Sequence, residues 1–241
     1  MKRRNVLAAV FAIITALIFS RLGLWQLQRL GERRARNEAL AFRLHTPALP
    51  LTQLPADSVG AHWRRALATG SYDFDHQIVL SGRTNDGSPG VQIITPLHLT
   101  EGGPAVLVNR GWVYASDAAT VDLGKWDEPP HETVSGYIED FVHGGRGVAR
   151  LPSRTNAWTR LDASELRAAF PFPIAPYYLV LLDTMVDYRA AHELPTTTPV
   201  RLTLPRMDDG PHLNYAIQWF TFAVVALVGV GTLIAQDLKR G

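Results

Sequence analysis

The chain has 241 residues, 24 basic and 22 acidic side chains, and a formal net charge of +2. That length allows one core of ordinary domain size with membrane segments besides, and so mild a charge, with no concentrated basic face, gives no reason to expect nucleic acid as a partner. The absence of cysteine excludes disulfides, thiolate zinc sites, iron–sulfur clusters and thiol redox chemistry, and three scattered methionines make no copper-binding run.

Residues 6–19 are apolar and uncharged, with Lys2, Arg3 and Arg4 before them, and the apolar pattern resumes beyond Arg21 to reach Leu27. At about 1.5 Å per residue, 6–27 is a helix of about 33 Å, enough to cross a bilayer. A cleaved signal peptide is the rival reading, but Ser20-Arg21-Leu22 is a poor cleavage site. Ala8, Ala12, Ala16, Ser20 and Gly23 recur every three or four residues. They either make a stripe that lets a second helix approach closely or reflect alanine's commonness in helices. Trp25 sits where an interfacial anchor belongs. Arg21, about one turn inside it, either snorkels to the interface or faces a buried anion.

Residues 29–44 are rich in arginine and alanine and continue the helix out of the membrane. Pro47, Pro50 and Pro55 then mark an irregular connection. Strand signals follow at 65–70, 77–80, 91–97, 105–113, 134–141 and 177–183, separated by turn punctuation at 85–90 and 101–104. One helix is expected at 162–169, opened by Asp162-Ala163-Ser164-Glu165 and closed before Pro171. Many strands and one short helix predict an antiparallel sheet or a partly open barrel.

This middle region offers little catalytic chemistry. It has no nucleophile elbow and no zinc-binding His-Glu-x-x-His helix. Gly144-Gly145-Arg146-Gly147 lacks the lysine and hydroxyl of a phosphate loop and reads as a hairpin tip. Asp73, Asp75 and His76 read as solvated residues beside a turn before they read as metal ligands. Arg110 and Trp112, two apart on the strongest strand, share a face. They either offer a flat cationic and aromatic surface to a partner or form a buried arginine covered by an indole.

Residues 212–235 make a second membrane-length helix, followed by Asp237, Lys239 and Arg240. Both short tails are basic, which places both termini in the cytoplasm and residues 28–211 outside. Arg21, Arg29, Arg33, Arg34 and Arg36 pull the other way, but long translocated domains weaken the charge rule. Polar groups crowd the start of this helix. At about 100° per residue, His212, Tyr215, Ala216, Trp219 and Ala223 share one face and Asn214, Gln218 and Thr221 another. Polar groups held in lipid are costly and call for a reason. His212 is either an interfacial polar residue that caps the helix start after Pro211 or a ligand on this aromatic face. Asn214 and Gln218 are expected to bond to a neighbouring helix.

Four motifs carry a resemblance: residues 23–29 (Gly-Leu-Trp-Gln-Leu-Gln-Arg), 86–97 with Asp-Gly, Pro-Gly and Thr-Pro-Leu, 106–113 (Val-Leu-Val-Asn-Arg-Gly-Trp-Val), and 212–220 (His-Leu-Asn-Tyr-Ala-Ile-Gln-Trp-Phe). In this order, between two spans, they make the chain resemble the surfeit locus protein one (SURF1) family of cytochrome c oxidase assembly factors over essentially its whole length. The resemblance implies a non-enzymatic bacterial inner-membrane protein with a periplasmic domain, acting where haem a enters the oxidase. It implies haem a ligation at His212, and names the cytochrome c oxidase catalytic subunit and haem a synthase as partners, alongside membrane lipid. The whole reading is an α+β membrane protein. Cytoplasmic tails at 1–5 and 236–241 and transmembrane helices at 6–27 and 212–235 flank a β-rich periplasmic domain at 28–211. A haem a surface of His212, Tyr215, Trp219, Arg21 and Trp25 is expected, with Arg21 or a neighbouring arginine on a propionate. Arg110 and Trp112 are the candidate partner contacts. The alternative is a cofactor-free scaffold that holds an oxidase intermediate.

Overall fold

The computed structural model describes residues 3–152, 154, 156–182, 198–205 and 207–239. The chain divides into two compact units, one of Met1–Ala41 with Arg206–Gly241 and the other Phe42–Pro205.

The first unit is a pair of helices. Helix α1 spans Arg3–His45, unbroken from the apolar run into the arginine-rich stretch, and α4 spans His212–Lys239. Both are long and apolar enough to cross a membrane. Their outward faces are hydrocarbon, with Phe11, Leu17, Val225 and Leu233 all more than 60% exposed. A soluble protein rarely leaves so continuous an apolar surface uncovered.

The second unit is built on eight strands: β1 (Leu49–Pro50), β2 (Arg65–Tyr72), β3 (Ile78–Asn85), β4 (Ser88–Leu99), β5 (Ala105–Tyr114), β6 (His131–Asp140), β7 (Ala157–Trp158) and β8 (Ile174–Leu181). Five of them close a ring. β2 pairs with β6, β6 with β8, β8 with β5, β5 with β4, and β4 returns to β2. The barrel is therefore closed, where the sequence pattern predicted an antiparallel sheet or a partly open barrel. Nor is it wholly antiparallel, since β5 and β8 run parallel. Strand directions cannot alternate all the way round a ring of five, so one pair has to run parallel. β3 extends from β4 as a hairpin and carries β7, while β1 lies on β2.

Alternation builds the core. Every second residue of β2 is buried, from Ala66 to Tyr72, and joins Leu97, Val106, Val108, Ile138 and Leu179 in one apolar cluster. Leu107, between two of these, joins a second cluster with Trp158, Leu161 and Leu166. The run at 105–113 is continuously buried because β5 is covered on both sides. Helix α3 (Ala163–Ala169) supplies Leu166 to that cover, and the Asp162 carboxylate caps it by accepting from the N–H of Ser164 and Glu165. A four-residue helix α2 (Ser58–Ala61) is similarly capped by Asp57.

The β3–β4 hairpin is longer than its apolar signal. Its turn is Asp86-Gly87 alone, with φ of +47° and +79°, the pair of left-handed residues a two-residue hairpin requires. Ser88, Pro89 and Gly90, expected in the turn, are already strand. β8 ends at Leu181; Asp183, where that strand was expected to end, lies outside the described residues.

Candidate functional site

The helix pair packs along a heptad-like seam. Along this seam α1 buries Asn5, Ala12, Ala16, Gly23, Gln26 and Leu30. On α4 Ala216 and Ala223 are buried, with His212 and Trp219 half-buried on the same line. Steps of three and four residues keep one narrow stripe facing the partner helix, and small side chains let the backbones close. At Gly23 a Cβ would lie 2.8 Å from the Phe220 ring. Phe19 stacks on Trp219 with centroids 5.5 Å apart and planes 30° off parallel.

Both ends of the seam carry a buried polar residue. Asn5 Nδ2 donates to Asp237 Oδ2 at 2.9 Å. At the other end His212 Nδ1 lies 2.8 Å from Gln26 Oε1. The turn that delivers His212 is tied to α1. Arg33 Nε donates to the Asp208 carbonyl at 2.9 Å and its Nη2 to Asp208 Oδ1 at 3.0 Å. Asn37 Nδ2 reaches the same carbonyl, and Gly210 N–H donates to Asp208 Oδ1. Arg34 pairs with Asp209 at 2.7 Å, and its hydrogen bond and charge hold that carboxyl below the usual carboxylate range.

The chemistry of His212 follows from its partner. A carbonyl oxygen only accepts, so Nδ1 donates, and in the neutral ring Nε2 keeps its lone pair. No hydrogen bond to Nε2 is present among the described residues. An imidazole whose far nitrogen is held by an acceptor is the usual form of a metal-ligating histidine. Among the described residues no group of three or more histidines or carboxylates is placed to hold a bare metal ion. One open imidazole nitrogen can supply a single axial bond to a metal already held in a macrocycle.

Of the sequence-predicted residues, the structure brings His212 and Trp219 onto the seam. Tyr215 lies one turn along and 46% exposed, at its edge. Arg21 and Trp25 are exposed. Five residues and one residue from Gln26, they lie about 140° and about 100° round α1 from the histidine's partner. Asn214 and Gln218, expected to bond across the helices, are exposed instead. The cross-helix bond is made by Gln26, which the sequence reading missed. Extending the small-residue stripe of Ala12, Ala16 and Gly23 by three positions lands on Gln26, and that was the available signal.

Arg110 and Trp112 do not fit a surface role. The Arg110 side chain is fully buried and Trp112 is 8% exposed. The shared face fails because Ile93 pairs with Gly111 while Ile94 pairs with Asn109, leaving Arg110 as the extra residue of a bulge. Its Nε meets Glu128 at 2.8 Å, its Nη1 meets Gln77 Oε1 at 3.0 Å, and its Nη2 donates to the Trp126 carbonyl. The guanidinium also lies over the rings of Tyr72 and Phe74. Arg201 pairs with the other oxygen of Glu128. Beside it, Val200 exchanges two backbone hydrogen bonds with Trp112. Gly111, at φ +129°, leaves room there for the Val200 carbonyl. Elsewhere on the barrel, Asp73 Oδ2 meets His76 Nδ1 at 2.8 Å and His98 Nε2 at 3.3 Å. Burial alone would raise the Asp73 carboxyl, but these hydrogen bonds outweigh it and lower it.

Comparison with known proteins finds matches along most of the chain. The model of the SURF1 family matches residues 13–224. A SURF1-like protein of Mycobacterium tuberculosis is 29% identical over 97% of this chain and 84% of its own length. Another from Monosiga brevicollis is 26% identical over 86% and 79%. A third, from Rickettsia felis, is 24% identical over 90% and 92%.

Proposed function

The chain belongs to the SURF1 family, which is generally linked to cytochrome oxidase assembly, and from that premise we propose that it receives and hands over haem a as the oxidase matures. The haem is cargo, and His212 is its axial ligand through Nε2. The observation that carries this reading is the 2.8 Å contact between His212 Nδ1 and Gln26 Oε1, which orients the ring and leaves the second nitrogen open. Trp219 and the exposed ring of Tyr215 give the macrocycle apolar walls with polar edges. One protein ligand leaves the opposite iron face to water or to the recipient, which suits a carrier that has to release its load.

In this proposal α1 and α4 cross the inner membrane, both termini are cytoplasmic and the barrel is periplasmic. His212, at the start of α4, then lies at the outer interface. The partners are the oxidase catalytic subunit that takes the haem and the haem a synthase that supplies it. The protein makes and breaks no covalent bond.

The test is to purify the full chain and its His212→Ala variant from cells that make haem a and to record visible spectra. The carrier reading expects a haem band in the wild type that is lost in the variant. Equal absence from both, with the oxidase still dependent on the protein, leaves a cofactor-free scaffold.

A further inference from the structure

Arg21, Trp25 and Arg29 form an outward stripe on α1, and nothing in the haem proposal uses it. We propose that this stripe is a binding site for the phosphate of an anionic phospholipid in the outer leaflet; the inference rests on the membrane topology proposed above.

Positions 21, 25, 28, 29, 32 and 36 lie within about 100° of one another round the helix. All six side chains are exposed. The same stripe begins, one to two turns earlier, with Ile14, Leu17 and Ile18, exposed at 51%, 64% and 54%. It therefore passes from hydrocarbon to charge at Arg21, with Trp25 one turn further on. Three arginines stand against one carboxylate, Glu32, whose Oε2 pairs with Arg29 Nη1 at 2.9 Å. Arg21 has no hydrogen bond or ion pair among the described residues. A guanidinium on the apolar run extends toward the interface and takes an anion there.

Two guanidiniums are within reach of one depth. Arg29 Cζ lies over the Trp25 ring, 5.7 Å from its centroid, so this side chain folds back by about one turn. Arg21 begins about 6 Å on the other side of Trp25, and by snorkelling its long stem can carry the guanidinium to the same level. The indole is an interfacial anchor at that level. A phosphodiester between the two arginines would receive bidentate donors from each, with its acyl chains along Ile14, Leu17 and Ile18. The same chemistry accounts for two of the basic residues on the outer side, where the charge rule does not call for them: Arg21 and Arg29 are held by lipid phosphate, while Arg33 and Arg34 are held by Asp208 and Asp209.

The experiment is native mass spectrometry of the full chain released from micelles containing equal phosphatidylglycerol and phosphatidylcholine with identical acyl chains. The wild type is expected to retain phosphatidylglycerol preferentially. Arg21→Gln with Arg29→Gln should lower that retention by roughly fivefold for each arginine removed. Arg21→Lys with Arg29→Lys keeps the charge and should restore most of it. Arg154→Gln, on the barrel, should change nothing. Equal retention of the two lipids by the wild type, or undiminished phosphatidylglycerol on the double glutamine variant, overturns the site. Displacement by glycerol 3-phosphate as readily as by phosphatidylglycerol would show a free phosphate site and overturn the lipid assignment. Haem lost from Arg21→Gln with lipid retention unchanged also overturns it and returns Arg21 to a propionate. Carbonate extraction of membranes separates the premise: protein released by carbonate refutes the topology as well, whereas membrane-resident protein without lipid preference refutes this inference alone.

Discussion

Replacing Glu128 by glutamine should be among the most destabilising single changes in the barrel. The carboxylate is 8% exposed and stands between two guanidiniums. Arg110, fully buried, approaches one oxygen at 2.8 Å, and Arg201 the other. The amide keeps the shape, loses the charge and turns a donor toward one of the two cations. Removing one partner of a buried ion pair costs about 3–5 kcal/mol, because the remaining charge is left desolvated. That is a large share of a total of about 5–15 kcal/mol. For a unit of this size it lowers the unfolding midpoint by roughly 6–20 °C. The effect should spread, since Arg201 and Val200 pin the returning segment onto Trp112. The assay is thermal unfolding of the full chain followed by near-ultraviolet circular dichroism, which reports the tryptophans packed in the barrel. Lys125→Gln is the control, since its pair with Asp122 is exposed at 75% and 65% and should leave the midpoint unmoved. A Glu128→Gln protein within about 1 kcal/mol of wild type would refute the buried-charge reasoning.

Other expectations follow from the same contacts. Gln26→Leu removes the acceptor that orients His212 and should weaken haem binding by roughly 10–100-fold without abolishing it, read by absorbance titration. Gly23→Leu drives a side chain into the Phe220 ring, which a Cβ alone would meet at 2.8 Å. It should part the helices, seen as lost cross-linking between cysteines placed at positions 16 and 223. Asp73 has its folded pKa lowered by His76 and His98, so its contribution is complete above about pH 4 and disappears as pH falls through the lowered value. Denaturant midpoints of wild type and Asp73→Asn should therefore differ above about pH 4 and converge below it; a gap that widens on acidification below that pH would contradict the assignment.

Much of this architecture could be read from periodicity. The apolar lengths at the two ends, the capped helix at Asp162 and the alternating strands depend on local pattern, and local pattern survives folding. What escaped was set by partners distant in sequence. Closure of the barrel depends on Gly70–Leu99 and Tyr72–Leu97 pairing between strands already used elsewhere. The shared face expected of Arg110 and Trp112 assumed strict alternation, and a bulge at Asn109–Gly111 breaks it. His212 stood out as a polar residue at a membrane boundary. Its partner Gln26 lies 186 residues away, and only the pairing of the two helices joins them. Arg21 and Trp25 were grouped with the histidine by membrane depth, which fixes height along a helix but not direction round it.

The most direct test is a titration of haem a into the purified full chain in lipid nanodiscs, wild type against His212→Ala, followed by visible absorption. The account predicts a saturable band shift in the wild type and at least tenfold weaker binding once the imidazole is gone. Matching curves for the two proteins would contradict it.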